Sequence, residues 1–213
     1  MGLMSLMEKI RTFVAIPIPV EIRRELAEVE NDLMPARAGV KWVAEGNFHV
    51  TLKFLGHVEQ ERLEAIARGV EAAVAGTGSF EVELANVGAF PNISRPSVVW
   101  VGVTKGAQEM ISLANRVDAE MARNGFERET RPFSAHITLG RVKSPKNRGG
   151  PPENLDKLRE LIERHQNREV GSFGVEQVSI MKSDLQRSGP IYTAVSDFRL
   201  SRESGIPSAG GTD

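Results

Sequence analysis

Apolar and polar positions along the chain change period many times. Arg11 to Ile16 is β-branched and aromatic and runs into Pro17 and Pro19, the signature of a strand. Ile22, Leu26, Val29 and Leu33 recur at helical spacing, which predicts a helix from Glu21 to Leu33 with Pro35 just beyond it. A strand from His49 to Leu55 closes at Gly56. An amphipathic helix follows from Glu59 to Val74, stopped by Gly76 and Gly78. Phe80 to Val87 alternates as a half-buried strand does, and Ser97 to Val103 is a short apolar strand. Gln108 to Arg123 reads as a helix capped by Asn124-Gly125. Strands at Ser134–Val142, Val170–Met181 and Ile191–Phe198, with a helix from Leu155 to His165, complete the pattern.

Laid over each other, the two halves repeat. Phe48-His49-Val50-Thr51-Leu52 answers Ala135-His136-Ile137-Thr138-Leu139, and Gly78-Ser79-Phe80 answers Gly171-Ser172-Phe173. The order is strand, helix, strand, helix, strand, strand, twice, with the Ser97–Val103 strand closing one unit and opening the next. The expected fold class is therefore α+β. Two pseudo-symmetric lobes, each an antiparallel sheet with helices on its outer face, should meet about a pseudo-two-fold axis with the active cleft between them. We assign residues 11–202 to this single bilobal domain, residues 1–10 to a frayed leader and residues 203–213 to a disordered tail rich in Ser, Gly and Pro. The basic loop from Lys143 to Pro152, rich in Gly and Pro, is expected to be mobile.

On a strand, positions i and i+2 share a face. His49 and Thr51 therefore look into the cleft together, as do His136 and Thr138, while Val50, Leu52, Ile137 and Leu139 pack behind them. A lone histidine on an apolar strand is more often a packed side chain than a reactive one. The chain holds four histidines, and two of them falling by chance into one four-residue frame has a probability on the order of 10⁻⁴ or less. Facing imidazoles suit the opening of a cyclic phosphate. One, neutral, takes a proton from water; the other, protonated, gives one to the leaving ribose oxygen. The threonine hydroxyls can donate to the phosphoryl oxygens. A metal reading is one ligand short, since neither motif adds a carboxylate or thiol. A serine nucleophile lacks an elbow and an oriented base. For the cation that a phosphate wants, strand parity points to Lys53. Arg141 lies at odd spacing from His136, unless Gly140 supplies a bulge that turns it back. His57 and His165 read as surface residues; Phe13 and Trp42 read as core, with stacking on a base as the alternative. Arg131, Lys146 and Arg148 are placed to guide an RNA end or simply to solubilise.

Composition narrows the choice. The chain has 213 residues and a formal net charge of −1. No global basic field advertises a long nucleic-acid backbone, so an RNA substrate would be held as an end or a short piece. The chain has no cysteine, which excludes a thiol nucleophile, a disulfide framework and thiolate-bound zinc, and fits a reducing cytoplasm. No apolar run is long enough to span a bilayer, and no membrane partner is expected.

At these residues the sequence resembles the 2H phosphoesterase superfamily, defined by two His-x-Thr-x motifs. Within it, the likeness is to the bacterial and archaeal RNA 2′,3′-cyclic phosphodiesterases, once called 2′-5′ RNA ligases. It covers roughly residues 11–200. It rests on Arg11-Thr12-Phe13-Val14-Ala15-Ile16, on Trp42-Val43 with Asn47-Phe48-His49-Val50-Thr51-Leu52-Lys53-Phe54-Leu55-Gly56, and on Arg131-Pro132-Phe133-Ser134-Ala135-His136-Ile137-Thr138-Leu139-Gly140-Arg141. The resemblance implies hydrolysis of RNA 2′,3′-cyclic phosphate ends to 2′-phosphates with no metal and no cofactor, and some members also join 2′-5′ ends weakly and reversibly. It implies His49 as proton donor and His136 as proton acceptor. It implies Thr51, Thr138 and Arg141 as phosphate-binding residues, and favours Arg141 over Lys53. The expected partners are RNA ends or short oligonucleotides bearing the cyclic phosphate, met by a monomer. Two competing readings keep the fold: a non-catalytic nucleotide-binding module, and a phosphodiesterase acting on a small cyclic or 2′-5′-linked nucleotide.

Overall fold

The chain's first strand, β1 (Lys9–Pro17), is buried from Thr12 to Ile16 without alternation, as a strand covered on both faces must be. It lies inside a four-stranded antiparallel sheet of order β3-β1-β8-β9, built with β3 (His49–Glu59), β8 (Gln177–Gln186) and β9 (Gly189–Arg199). A second antiparallel sheet has the order β2-β6-β5-β4-β7, from β2 (Val40–Trp42), β4 (Phe80–Phe90), β5 (Val98–Val103), β6 (His136–Val142) and β7 (Glu169–Val175). The structure is a computed structural model and describes residues 9–143, 154–187 and 189–201. The leader up to residue 8, the basic loop from 144 to 152 and the tail from 203 lie outside the described residues. No described helix is long and apolar enough to cross a membrane.

Among the described residues, four α-helices cover the sheets. α1 (Val20–Leu33) buries the expected stripe Ile22, Leu26, Val29 and Leu33, and with α4 (Leu155–Arg164) it packs on the second sheet, against β7 and β4. α2 (Leu63–Val74) and α3 (Ala107–Arg123) pack together on the first sheet, against β9 and β3. The fold is thus α+β with two helix-backed antiparallel sheets, but the lobes are not the consecutive halves of the chain. α1 leaves the first sheet and packs on the second, and α3 does the reverse. The β8–β9 hairpin returns from the far end of the chain to sit beside β1. An apolar stripe fixes that a helix is buried, not which of two equivalent sheets covers it.

Other expectations also shift. The strand read as Val170–Met181 is two strands parted at Glu176, one in each sheet. A period of two runs through the switch and carries no turn signal. Gly56 does not end its strand: it takes a φ of +74° inside β3, next to a bulge at Leu55 that the partner strand β1 does not match. The helix expected from Glu59 begins at Leu63, after a 3₁₀ turn at Gln60–Arg62. The three residues of β2, too short to show a period, pair with β6. Behind both motifs the core is dense, with Val50, Leu52, Ile137 and Leu139 each at most 4% exposed.

Candidate active site

β3 and β6 carry the two motifs, one in each sheet, and lie against each other across the cleft. In each, the residues flanking His and Thr are buried while His and Thr themselves are half-exposed, so the parity argument holds through the threonines. Then each strand bulges. Thr51 faces Ala15 and Lys53 faces Val14, which leaves Leu52 as the extra residue. Thr138 faces Trp100 and Gly140 faces Val99, which leaves Leu139 extra. A bulge flips the parity of everything after it. Lys53 is carried to the buried face and Phe54 outward; Gly140 is buried and Arg141 comes out beside His136 and Thr138. The bend that strand parity needed is real, and it sits at Leu139, one residue before Gly140.

Thr51, His136, Thr138 and Arg141 line one cavity of about 650 Å³. His49 is not part of that lining; its ring lies 4.9 Å from that of Phe13 and edge-on to Tyr192 at 5.2 Å. His136 stands edge-on to Phe90 at 4.9 Å. Each imidazole is oriented in the same way. His49 Nδ1 is 2.7 Å from the carbonyl of Asn47, and His136 Nδ1 is 2.8 Å from the carbonyl of Ser134. A carbonyl only accepts, so each Nδ1 carries a proton and donates it, and Nε2 is the nitrogen left for chemistry. Asn47 is itself tied to β9, its Nδ2 donating to the Pro190 carbonyl at 2.8 Å.

Both imidazoles are held below the usual histidine pKa. Burial is the main cause at each, opposed by the carbonyl hydrogen bond. The charges of His136 and Arg141 lower His49 further, and that of Arg141 lowers His136. The two rings and the guanidinium therefore share one electrostatic environment.

Lys53, the cation favoured by simple parity, is not in this group. Its Nζ is buried and pairs with Asp118 of α3 at 2.7 Å, donates to the Glu127 carbonyl at 2.6 Å and lies 3.5 Å from Glu129. His57 is exposed on β3, and His165 caps the end of α4. Phe13 is buried beneath His49, as a core residue that also seats the ring. Among the described residues no three His, Asp or Glu side chains gather closely enough to hold one metal ion. Sequence reasoning missed Tyr192, Phe90 and the carbonyls of Asn47 and Ser134. The carbonyls had one legible signal, their matching place two residues before each histidine. The aromatics had none, because β9 and β4 reach the site through tertiary structure alone.

The family of LigT-like phosphoesterases matches the chain over residues 16–100 and again over 101–192. The seam falls inside β5, the strand that the two repeat units share. The RNA 2′,3′-cyclic phosphodiesterase of Methanothermobacter thermautotrophicus is 39% identical over 192 residues, covering 90% of this chain and 100% of that protein. That of Archaeoglobus fulgidus is 36% identical over 182 residues, covering 85% and 96%. Escherichia coli LigT, solved in complex with 3′-AMP, superposes with a TM-score of 0.70 at 29% identity, covering 92% of this chain and all of that one. Both halves of the chain, both motifs and both sheets fall within these matches, and the chain belongs to the LigT-like phosphoesterase family.

Proposed function

We propose that the protein hydrolyses 2′,3′-cyclic phosphates at RNA ends, leaving a 2′-phosphate and a free 3′-hydroxyl. The observation that carries this reading is the pair of imidazoles set by matching carbonyl hydrogen bonds on two symmetry-related strands, one on each side of a single cleft. His136, neutral, takes a proton from water as the water oxygen bonds to phosphorus. The bond from phosphorus to O3′ breaks, and His49, protonated, gives its Nε2 proton to that oxygen. The pair ends with the proton moved from one ring to the other, and exchange with solvent restores the start. Thr51 and Thr138 donate hydroxyl hydrogens to the phosphoryl oxygens, and Arg141 offers a two-pronged guanidinium to the same group. The bound anion favours the protonated form of His49, against the burial that lowers it.

No metal or cofactor enters this scheme: the proton traffic is complete with the two imidazoles. Phe54, 56% exposed beside the same cavity, offers the terminal base an aromatic face. We place the reaction in the cytoplasm, where RNA ends are made and a chain without cysteine is at home. The test is an RNA ending in 2′,3′-cyclic phosphate, incubated with the protein and EDTA. The expected product keeps its phosphate on O2′ and resists a 3′-specific phosphatase. A product that such an enzyme strips, or turnover that EDTA abolishes and a divalent ion restores, overturns the reading.

A further inference from the structure

The cavity beside the histidines extends well past them. Its lining joins His136, Thr138 and Arg141 to residues of α3 and to the segment from Arg128 to Ser134. The charges on α3 and that segment nearly cancel. Asp118 Oδ1 is 2.7 Å from Lys53 Nζ, and its Oδ2 is 2.7 Å from Arg128 Nε, while Glu129 lies 3.5 Å from Lys53. Two cations there offset two carboxylates. Arg131 lines the same cavity, is exposed, and has no salt-bridge partner among the described residues.

The segment that displays Arg131 is pinned. Lys53 Nζ donates to the Glu127 carbonyl at 2.6 Å, and the Glu129 amide donates to Asp118 Oδ1 at 3.1 Å. Pro132 then restricts the backbone of Arg131 itself. A backbone already fixed on both sides needs little further ordering when Arg131 binds. Arg141 lines the same cavity with His136, so the lining carries two guanidinium groups without a salt-bridge partner among the described residues, which suits a ligand with two anionic groups.

We propose that Arg131, on the Arg128–Ser134 wall of the cavity, holds the phosphate on the 5′ side of the terminal nucleotide, so that the protein prefers RNA ends to free cyclic mononucleotides. The proposal rests on the cyclic-phosphate reading above. In a nucleotide the 5′ phosphate is the next anion along from the 2′,3′-cyclic one, with the ribose and base between them.

Two probes test it: adenosine 2′,3′-cyclic phosphate, and the same molecule carrying a 5′-phosphate. The readout is the ratio of their kcat/KM values, which partial loss of folded enzyme does not alter. The unmodified protein should favour the 5′-phosphorylated probe by about 10- to 150-fold, the worth of a charged hydrogen bond. Arg131→Ala should bring the ratio close to one. Arg131→Lys, which keeps the charge and loses the fork, should leave an intermediate ratio that falls as salt is added. Equal use of the two probes by the unmodified protein overturns the proposal. So does an Arg131→Ala variant that loses the same factor on both, since Arg131 would then act on the reacting phosphate or through the loop. If the unmodified protein hydrolyses neither probe nor a cyclic-ended RNA, the functional reading itself falls and takes the subsite with it; if it hydrolyses the RNA alone, only the 5′-phosphate assignment falls.

Discussion

Set side by side, β3 and β6 agree for four residues and then part. Each presents His and Thr to the cleft, buries the residues between, and bulges at a leucine. After the bulge β3 continues Lys53-Phe54 and β6 continues Gly140-Arg141. The same backbone turn thus sends a lysine inward in one lobe and makes room for nothing larger than glycine in the other. Outward it presents an aromatic ring in one lobe and a guanidinium in the other. The packing behind each strand explains the inward pair. α3 lies behind β3 and supplies Asp118 to meet Lys53. β2 lies beside β6, and a Cβ on Gly140 would come within 2.5 Å of Val40 and 2.8 Å of the Trp42 ring. The outward pair gives a nearly symmetric scaffold an asymmetric surface, with a cation on one side and an apolar face on the other. A substrate with a phosphate and a base needs that division.

The part the strands share should matter most. His49→Ala and His136→Ala should each lower kcat by roughly 10²–10⁴, the usual worth of a positioned acid or base. The double variant should lose far less than the product of the two, because the rings act as a unit. Both proteins should remain folded, as neither ring fills the core. Near-normal turnover in either variant would mean that symmetry of structure is not symmetry of function. A substrate whose leaving oxygen needs no proton should rescue His49→Ala alone; rescue of His136→Ala instead would exchange the two roles.

Where the strands part, the two cations should fail in different ways. Lys53→Ala should destabilise the fold by about 3 kcal/mol, since it leaves a buried Asp118 with only the exposed Arg128 and the Glu129 amide as partners, and the loss will show as a lower Tm. Arg141→Ala should leave Tm unchanged and cost about 10- to 150-fold in kcat/KM. Comparable losses of activity at unchanged Tm in both variants would put Lys53 back among the phosphate ligands.

The contrast also marks where sequence reading reaches its limit. The histidine–threonine pairs were legible because they precede the bulges, where a period of two still holds. Lys53 misled because the bulge falls at Leu52, a residue with no turn propensity to betray it. Arg141 could be suspected only because a glycine stood beside it, yet the bulge falls at Leu139, and what a side chain at 140 would meet is Val40 and Trp42. The repeat was legible as a pattern of elements, yet the crossing of α1 and α3 between sheets was not, since their apolar stripes fit either sheet. The same holds for Tyr192 and Phe90, whose meeting with the histidines is decided by which strands become neighbours.

A smaller effect probes the inward pair from the other side. Gly140→Ala forces a methyl against Val40 and Trp42, and overpacking of this kind costs about 1–3 kcal/mol. Part of that cost should be recovered by Trp42→Leu in the same protein, as a lower Tm that rises again. No recovery would mean that glycine is required at 140 for its backbone and not for the space beside it.

The smallest effect is a shift in pH dependence, and it isolates the outward pair. On the proposed roles, kcat/KM in the free protein requires His136 neutral and His49 protonated. A lowered pKa at the acceptor carries the acid limb of the profile to lower pH, and a lowered pKa at the donor brings the alkaline limb down as well. With both rings held below 6.5, the bell should lie on the acid side of that value. Arg141 is a lowering influence on both rings, so Arg141→Gln, which keeps hydrogen-bonding capacity and removes charge, should move both limbs to higher pH together. Phe54→Leu removes the counterpart side chain in the other lobe without changing charge, and should leave both limbs in place. The limbs belong to the coupled pair and not to one ring each, so the joint movement is the observable. Limbs that stay put in Arg141→Gln, or that move in Phe54→Leu, would show that the electrostatics of the cleft are set by burial alone and that the two lobes do not differ in charge where the reaction can feel it.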